Sequence, residues 1–111
     1  MSPRDWQIRI QDILACSYNI QSFTAGMNFE SFQDDPKTIR AVAFELTTIG
    51  EAVRAIPQVI QDKFDKVPWG KIQGFRNVLV HEYFRLDEEI LWKTIQDDIP
   101  QLIKSLEKIT S

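Results

Sequence analysis

Apolar residues recur along this chain in steps of three and four, the period of a helix that buries one face. Between Asp5 and about Phe23 they fall at Trp6, Ile10, Ile13, Cys16, Ile20 and Phe23, which predicts a first amphipathic helix. Gly26, Met27 and Asn28 interrupt the pattern, and Phe29-Glu30-Ser31-Phe32 has room for a single short turn. Asp34-Asp35-Pro36 is a strong helix start, with Asp35 as N-cap and Pro36 at the first helical position. The helix it opens is expected to run to about Ile56, with Ile39, Val42, Ala43, Leu46, Ile49, Val53 and Ile56 as its stripe.

Pro57 stops that helix, and Pro57 to about Phe64 can form a short helix of its own. Val67-Pro68-Trp69 opens the next, with Ile72, Phe75, Val78 and Leu79 expected to face inward. Asp87 is placed to cap the last helix, and Glu88 and Glu89 put negative charge on its first turn. Leu91, Ile95, Ile99, Leu102, Leu106 and Ile109 form its stripe, and Pro100 should kink it by removing a backbone hydrogen bond. Glycine inside a helix costs roughly 1 kcal/mol relative to alanine, so Gly50 and Gly74 each suggest a close helix crossing. No period-two strand, hairpin turn or internal repeat interrupts this picture. The expected fold is all-α, an antiparallel bundle of four main helices plus a short helix, in a single domain spanning residues 1–111. Phe44 falls off the stripe of its helix, which favours a homodimer.

Composition adds three limits. With 43% hydrophobic and 26% charged residues the chain is an ordinary globular one. No apolar run approaches the ~18 residues of a membrane span, and Met1-Ser2-Pro3-Arg4-Asp5-Trp6, with no basic region leading into an apolar run, does not read as a secretion signal. The one cysteine, Cys16, cannot pair within the chain, which fits a reducing cytoplasm. A net charge of −3 is unevenly spread. Residues 63–85 carry Lys63, Lys66, Lys71, Arg76 and Arg85 against Asp65 and Glu82, a local +3, which leaves −6 for the remainder. A locally basic stretch on an acidic protein is either a solvated surface or the footprint of a polyanion.

That stretch contains Arg76-Asn77-Val78-Leu79-Val80-His81-Glu82-Tyr83 and with it the only histidine. One histidine and one cysteine leave no zinc-type cluster. Asp34-Asp35 and Asp97-Asp98 read as a cap and a solvated face, and Cys16, on an apolar stripe, as core. What remains is suited to RNA cleavage without a metal, and no cofactor is implied. A histidine, with a reference pKa near 6.5, can move protons between the ribose 2′-hydroxyl and the leaving 5′-oxygen. An arginine fork can stabilise the phosphoryl oxygens, and Asn77 can hold either the histidine or the phosphate. A helix advances about 100° per residue, so Asn77 and His81 share a face while Arg76 and His81 stand about 140° apart. Either the helix ends near His81 or a second copy of the chain completes the site. A lone histidine on a helix is more often a surface or core residue than a catalyst, and a half-buried aromatic accounts equally well for Tyr83.

The same residues resemble the Arg-x4-His-x-Tyr signature of the HepT-like toxins of the HEPN (higher eukaryotes and prokaryotes nucleotide-binding) superfamily. Ile49-Gly50-Glu51-Ala52-Val53 with Ile56-Pro57, Pro68-Trp69, Ile72-x2-Phe75-Arg76-Asn77 and Leu91-Trp92-x6-Ile99-Pro100 are similar to that family in order and spacing. The resemblance implies a homodimeric, metal-independent endoribonuclease, the toxin of a type VII toxin–antitoxin pair. It makes Arg76 and His81 the catalytic pair and Asn77 the polar residue that follows the arginine. Tyr83 matches the tyrosine that a partner nucleotidyltransferase antitoxin modifies with AMP. The alternative is a non-catalytic helical binding subunit of a nucleotidyltransferase complex.

Overall fold

Asn28, Asp35 and Asp87 each open a helix by taking up unpaired amides of its first turn. The computed structural model describes the backbone of residues 5–81 and 87–110, and the side chains of 5–75 and 87–110. Helix α1 spans Asp5–Thr24, and Gly26, at φ +77°, turns the chain out of it in the left-handed region that favours glycine. Asn28 then opens the short α2, Phe29–Gln33, with a reciprocal cap: its Oδ1 accepts from Ser31 N at 2.8 Å while its own N–H donates to Ser31 Oγ at 3.0 Å. Asp35 caps α3, Pro36–Arg54, through bonds from Thr38 N and Thr38 Oγ1, and these bonds hold its carboxyl below the ordinary value. The short α4 is Gln58–Lys63, and α5 is Trp69–His81. Asp87 caps α6, Glu88–Lys93, by accepting from Glu89 N and Ile90 N. A π-helical turn, Thr94–Asp98, joins α6 to α7, Ile99–Thr110.

That π turn is how Pro100 is accommodated. Proline has no N–H to bond the carbonyl four residues back, and its ring crowds that carbonyl. Here the Ile99 N–H reaches the Thr94 carbonyl, five residues back, and the helix widens by one turn before the proline. The last helix therefore continues through the expected kink as α6, π turn and α7.

The architecture is all-α, an antiparallel bundle in which α1, α3, α5 and the α6–α7 run are the main helices. Helix α3 lies between α1 and α5, and α1 also meets α7. Ile10, Ile13, Ile20, Phe32, Val42, Ile49, Val53, Ile72, Ile99, Leu102 and Leu106 are essentially sealed from solvent and form one continuous core. Phe32, on the short α2, is sealed from solvent and packs on Trp92 of α6, ring centroids 5.2 Å apart. The Cα radius of gyration is 14.0 Å, close to the roughly 13 Å expected for a chain of this length.

Four details depart from the sequence reading. Phe23 is 40% exposed; Ser17 and Thr24 are buried on that helix instead, each hydroxyl donating to the carbonyl four residues back. Helix α3 ends at Arg54, because Ala55 and Ile56 close with tighter three-residue bonds ahead of Pro57. A Cβ built on Gly74 would meet nothing within 4 Å, so this glycine marks no close crossing within the described residues, whereas Gly50 is buried. Asp98 does not lie on a merely solvated face, since its Oδ1 pairs with Lys71 Nζ at 2.8 Å. The expected inward positions Val78 and Leu79 have side chains outside the described residues.

Candidate active site

Helix α5 carries the candidate residues, and its first turn is fixed from two sides. Trp69 is buried, and its indole N–H is shared between the carbonyls of Gln61 and Phe64, both at 3.0 Å. The loop after α4 is thereby locked onto the start of α5. On the other side Lys71 reaches across to Asp98 in the π turn, and the bond and charge of that carboxylate raise the lysine above its usual value. Ile72 and Phe75 continue the buried line and seat the helix on α3. Between α5 and the π turn lies a cleft of about 290 Å³, lined by Pro68, Lys71, Phe75, Asp97 and Asp98 among others.

Arg76, Asn77 and His81 all lie on this one helix, which is continuous through His81. Tyr83 lies outside the described residues, as do Glu82 and Arg85. Because no helix end falls between them, the register keeps Arg76 and His81 about 140° apart and about 7.5 Å apart along the axis. Asn77 and His81, four residues apart, share a face. One copy of α5 therefore does not set the arginine and the histidine on a common face.

Cys16 is buried, as its place on the α1 stripe implies. Its thiol is pushed up to about 12, first by burial and then by a hydrogen bond and charge from Glu45, so it is protonated at neutral pH and unsuited to nucleophilic work. Among the described residues no three His, Cys, Asp or Glu side chains converge where a metal ion could be held. No described helix is long and apolar enough to cross a membrane.

One feature escaped the sequence reading. Lys108, near the end of α7, lines a groove with Lys63 and Lys66 from the loop side of α4. The basic stretch already drew attention to two of these lysines. Nothing in the spacing links either to the third, more than forty positions away, because only the packing of α7 brings it there.

Comparison with known proteins is consistent across nearly the whole chain. Residues 13–109 match the family described as "Ribonuclease HepT-like". The chain is 42% identical over 94 residues to a protein named "Putative RNase" from Caldanaerobacter subterraneus subsp. tengcongensis, covering 85% of this chain and 83% of that one. A second "Putative RNase", from Methanocaldococcus jannaschii, is 36% identical over 107 residues, covering 96% and 98%. The protein named "Probable ribonuclease HepT" in Thermococcus cleftensis is 38% identical over 100 residues, covering 90% and 91%. No solved structure matches the chain significantly.

Proposed function

This chain belongs to the HepT-like ribonuclease family, and on that footing we propose that it is a metal-independent endoribonuclease whose catalytic pair is Arg76 and His81. The observation that carries the reading is the placement of the Arg-x4-His pattern on a helix whose first turn is anchored through Trp69 and Lys71. His81 acts on protons. As a neutral imidazole it removes the proton of a ribose 2′-hydroxyl; that oxygen attacks the adjacent phosphorus, the bond to the 5′-oxygen breaks, and the departing oxygen takes up a proton. The products are a 2′,3′-cyclic phosphate and a free 5′-hydroxyl. Arg76 offers its planar fork to the phosphoryl oxygens as negative charge builds on them, and Asn77 holds the imidazole or the phosphate.

The register of α5 supports a homodimer as the working unit. A histidine covers one proton transfer, and the two-fold axis of a dimer would supply a second imidazole and set one copy's arginine opposite the other's histidine. Phe44, 71% exposed on α3, adds an apolar surface that a partner copy would cover.

In this reading the protein is the toxin of a toxin–antitoxin pair, and Tyr83 is its off switch. A partner nucleotidyltransferase directs the phenolic oxygen onto the α-phosphorus of ATP, pyrophosphate leaves, and the adenylate left two residues from His81 excludes RNA by bulk and charge.

The test is RNA cleavage by the purified protein with and without EDTA, beside His81→Ala and Arg76→Ala. Cleavage that survives chelation and falls at least a hundredfold in both variants, with the circular dichroism unchanged, is the expected result. Undiminished cleavage by His81→Ala would remove the assignment. If the wild type does not cleave RNA but binds the nucleotidyltransferase, the chain is a binding subunit instead. Tyr83→Phe should cleave normally and stay active after incubation with the partner and ATP.

A further inference from the structure

The groove between the α4–α5 loop and the end of α7 encloses about 300 Å³ and is lined by Lys63, Phe64, Lys66, Val67, Lys108 and Ile109, with Asp65 and Ser105. Three lysines and one aspartate line it, on a protein whose net charge is −3. Its floor is apolar. Phe64 is half-buried, its ring 5.9 Å from that of Trp6, and Lys63 Nζ sits 5.4 Å from the Phe64 ring centroid. An aromatic and aliphatic floor under a cationic rim suits a ligand that alternates flat apolar groups with phosphates.

We propose that this groove is an accessory binding track for single-stranded RNA, feeding the strand towards Arg76 and His81; the inference rests on the ribonuclease reading above. Continuity of the chain sets the geometry. The loop that lines the groove leads into α5, and Arg76 and His81 lie about 10 and 18 Å along that helix from its start. The neighbouring cleft is a poor competitor, because Asp97 and Asp98 line it against the single lysine Lys71. A polyanion leaving the α5 site is therefore drawn towards Lys63, Lys66 and Lys108 and repelled from the π turn.

The experiment measures binding of a 12-nucleotide single-stranded RNA to the full-length His81→Ala protein across salt concentrations, with and without Lys63→Ala/Lys66→Ala/Lys108→Ala. Each phosphate contact contributes about 0.7 to the slope of log affinity against log salt, so the triple variant should lose about 2 from that slope and at least tenfold in affinity. Lys→Arg at the same three positions should restore both. In the His81-intact protein, cleavage of a dinucleotide, too short to reach the groove, should be unchanged by the triple alanine variant. An unchanged slope would overturn the proposal, as would an equal loss in a Lys37→Ala/Lys93→Ala/Lys104→Ala control, which would indicate diffuse charge. Retained RNA binding with lost association to a nucleotidyltransferase would make the groove a protein-docking site and overturn it too. Wild-type protein that cleaves RNA but shows no groove effect sinks this inference alone, whereas protein that binds RNA through the groove without cleaving it sinks only the catalytic reading.

Discussion

Replacing Trp69 by phenylalanine tests whether the indole N–H is what fastens the loop after α4 to helix α5. The variant keeps an aromatic ring in a buried position and removes the shared donor of Gln61 O and Phe64 O. Losing the shared donor costs about 1–1.5 kcal/mol net, and it is the Gln61 carbonyl that sets the figure at the upper end, since Phe64 O still accepts from Val67 N. The smaller ring forfeits roughly one buried methylene's worth of transfer energy, about 0.8 kcal/mol. Together these predict a loss of about 2–3 kcal/mol, or a fall in Tm of roughly 10 °C for a domain of this size. Urea unfolding followed by far-UV circular dichroism at one fixed protein concentration measures it, since any dimer would make the midpoint depend on concentration. A change below about 0.5 kcal/mol, the range of ordinary surface substitutions, would show that the indole bonds do not hold the helix start.

Cys16 should resist a thiol reagent in the folded protein and react promptly in urea, because burial and Glu45 keep it protonated. The folded thiol binds its proton more tightly than the unfolded one, so its contribution to stability is intact below about pH 8.5 and is lost as pH climbs towards 12. Tyr18, whose hydroxyl donates to Glu107, is raised in the same direction, and the urea midpoint should fall over that alkaline range less steeply in Cys16→Ala. Phe44→Ser should change the stability of the monomer by no more than about 0.5 kcal/mol and shift sedimentation towards the monomer; an unchanged sedimentation profile would place the dimer contact elsewhere. Phe32→Ala, which empties a fully buried site against Trp92, should cost about 3–5 kcal/mol.

The order of helices was legible in the sequence because caps and stripes are local. Asp35 and Asp87 announce their helices through amides two or three residues away, and the three-and-four spacing marks which face must be buried. The candidate site was legible for the same reason: Arg76, Asn77 and His81 lie within six residues of one helix, and their relative angles follow from its pitch alone. Phe23 departs from this rule: its spacing puts it on the α1 stripe, yet it is 40% exposed, and Ser17 and Thr24, their hydroxyls bonded within their own helix, take buried positions instead. Pro100 is legible as an interruption of the last helix, while the form that interruption takes, a π turn ahead of the proline, is seen only in the structure.

What the sequence determined by itself, then, was everything carried by contacts within a turn or two: helix starts, buried faces and the spacing of the α5 residues. Only the tertiary structure set Lys71 against Asp98, hung the Trp69 indole from the loop before it, and gathered Lys63, Lys66 and Lys108 around one groove. Those partners come from separate elements, and their meeting depends on how α3, α5 and α7 stack. That stacking is the sum of many weak apolar contacts, and no short stretch of residues encodes it.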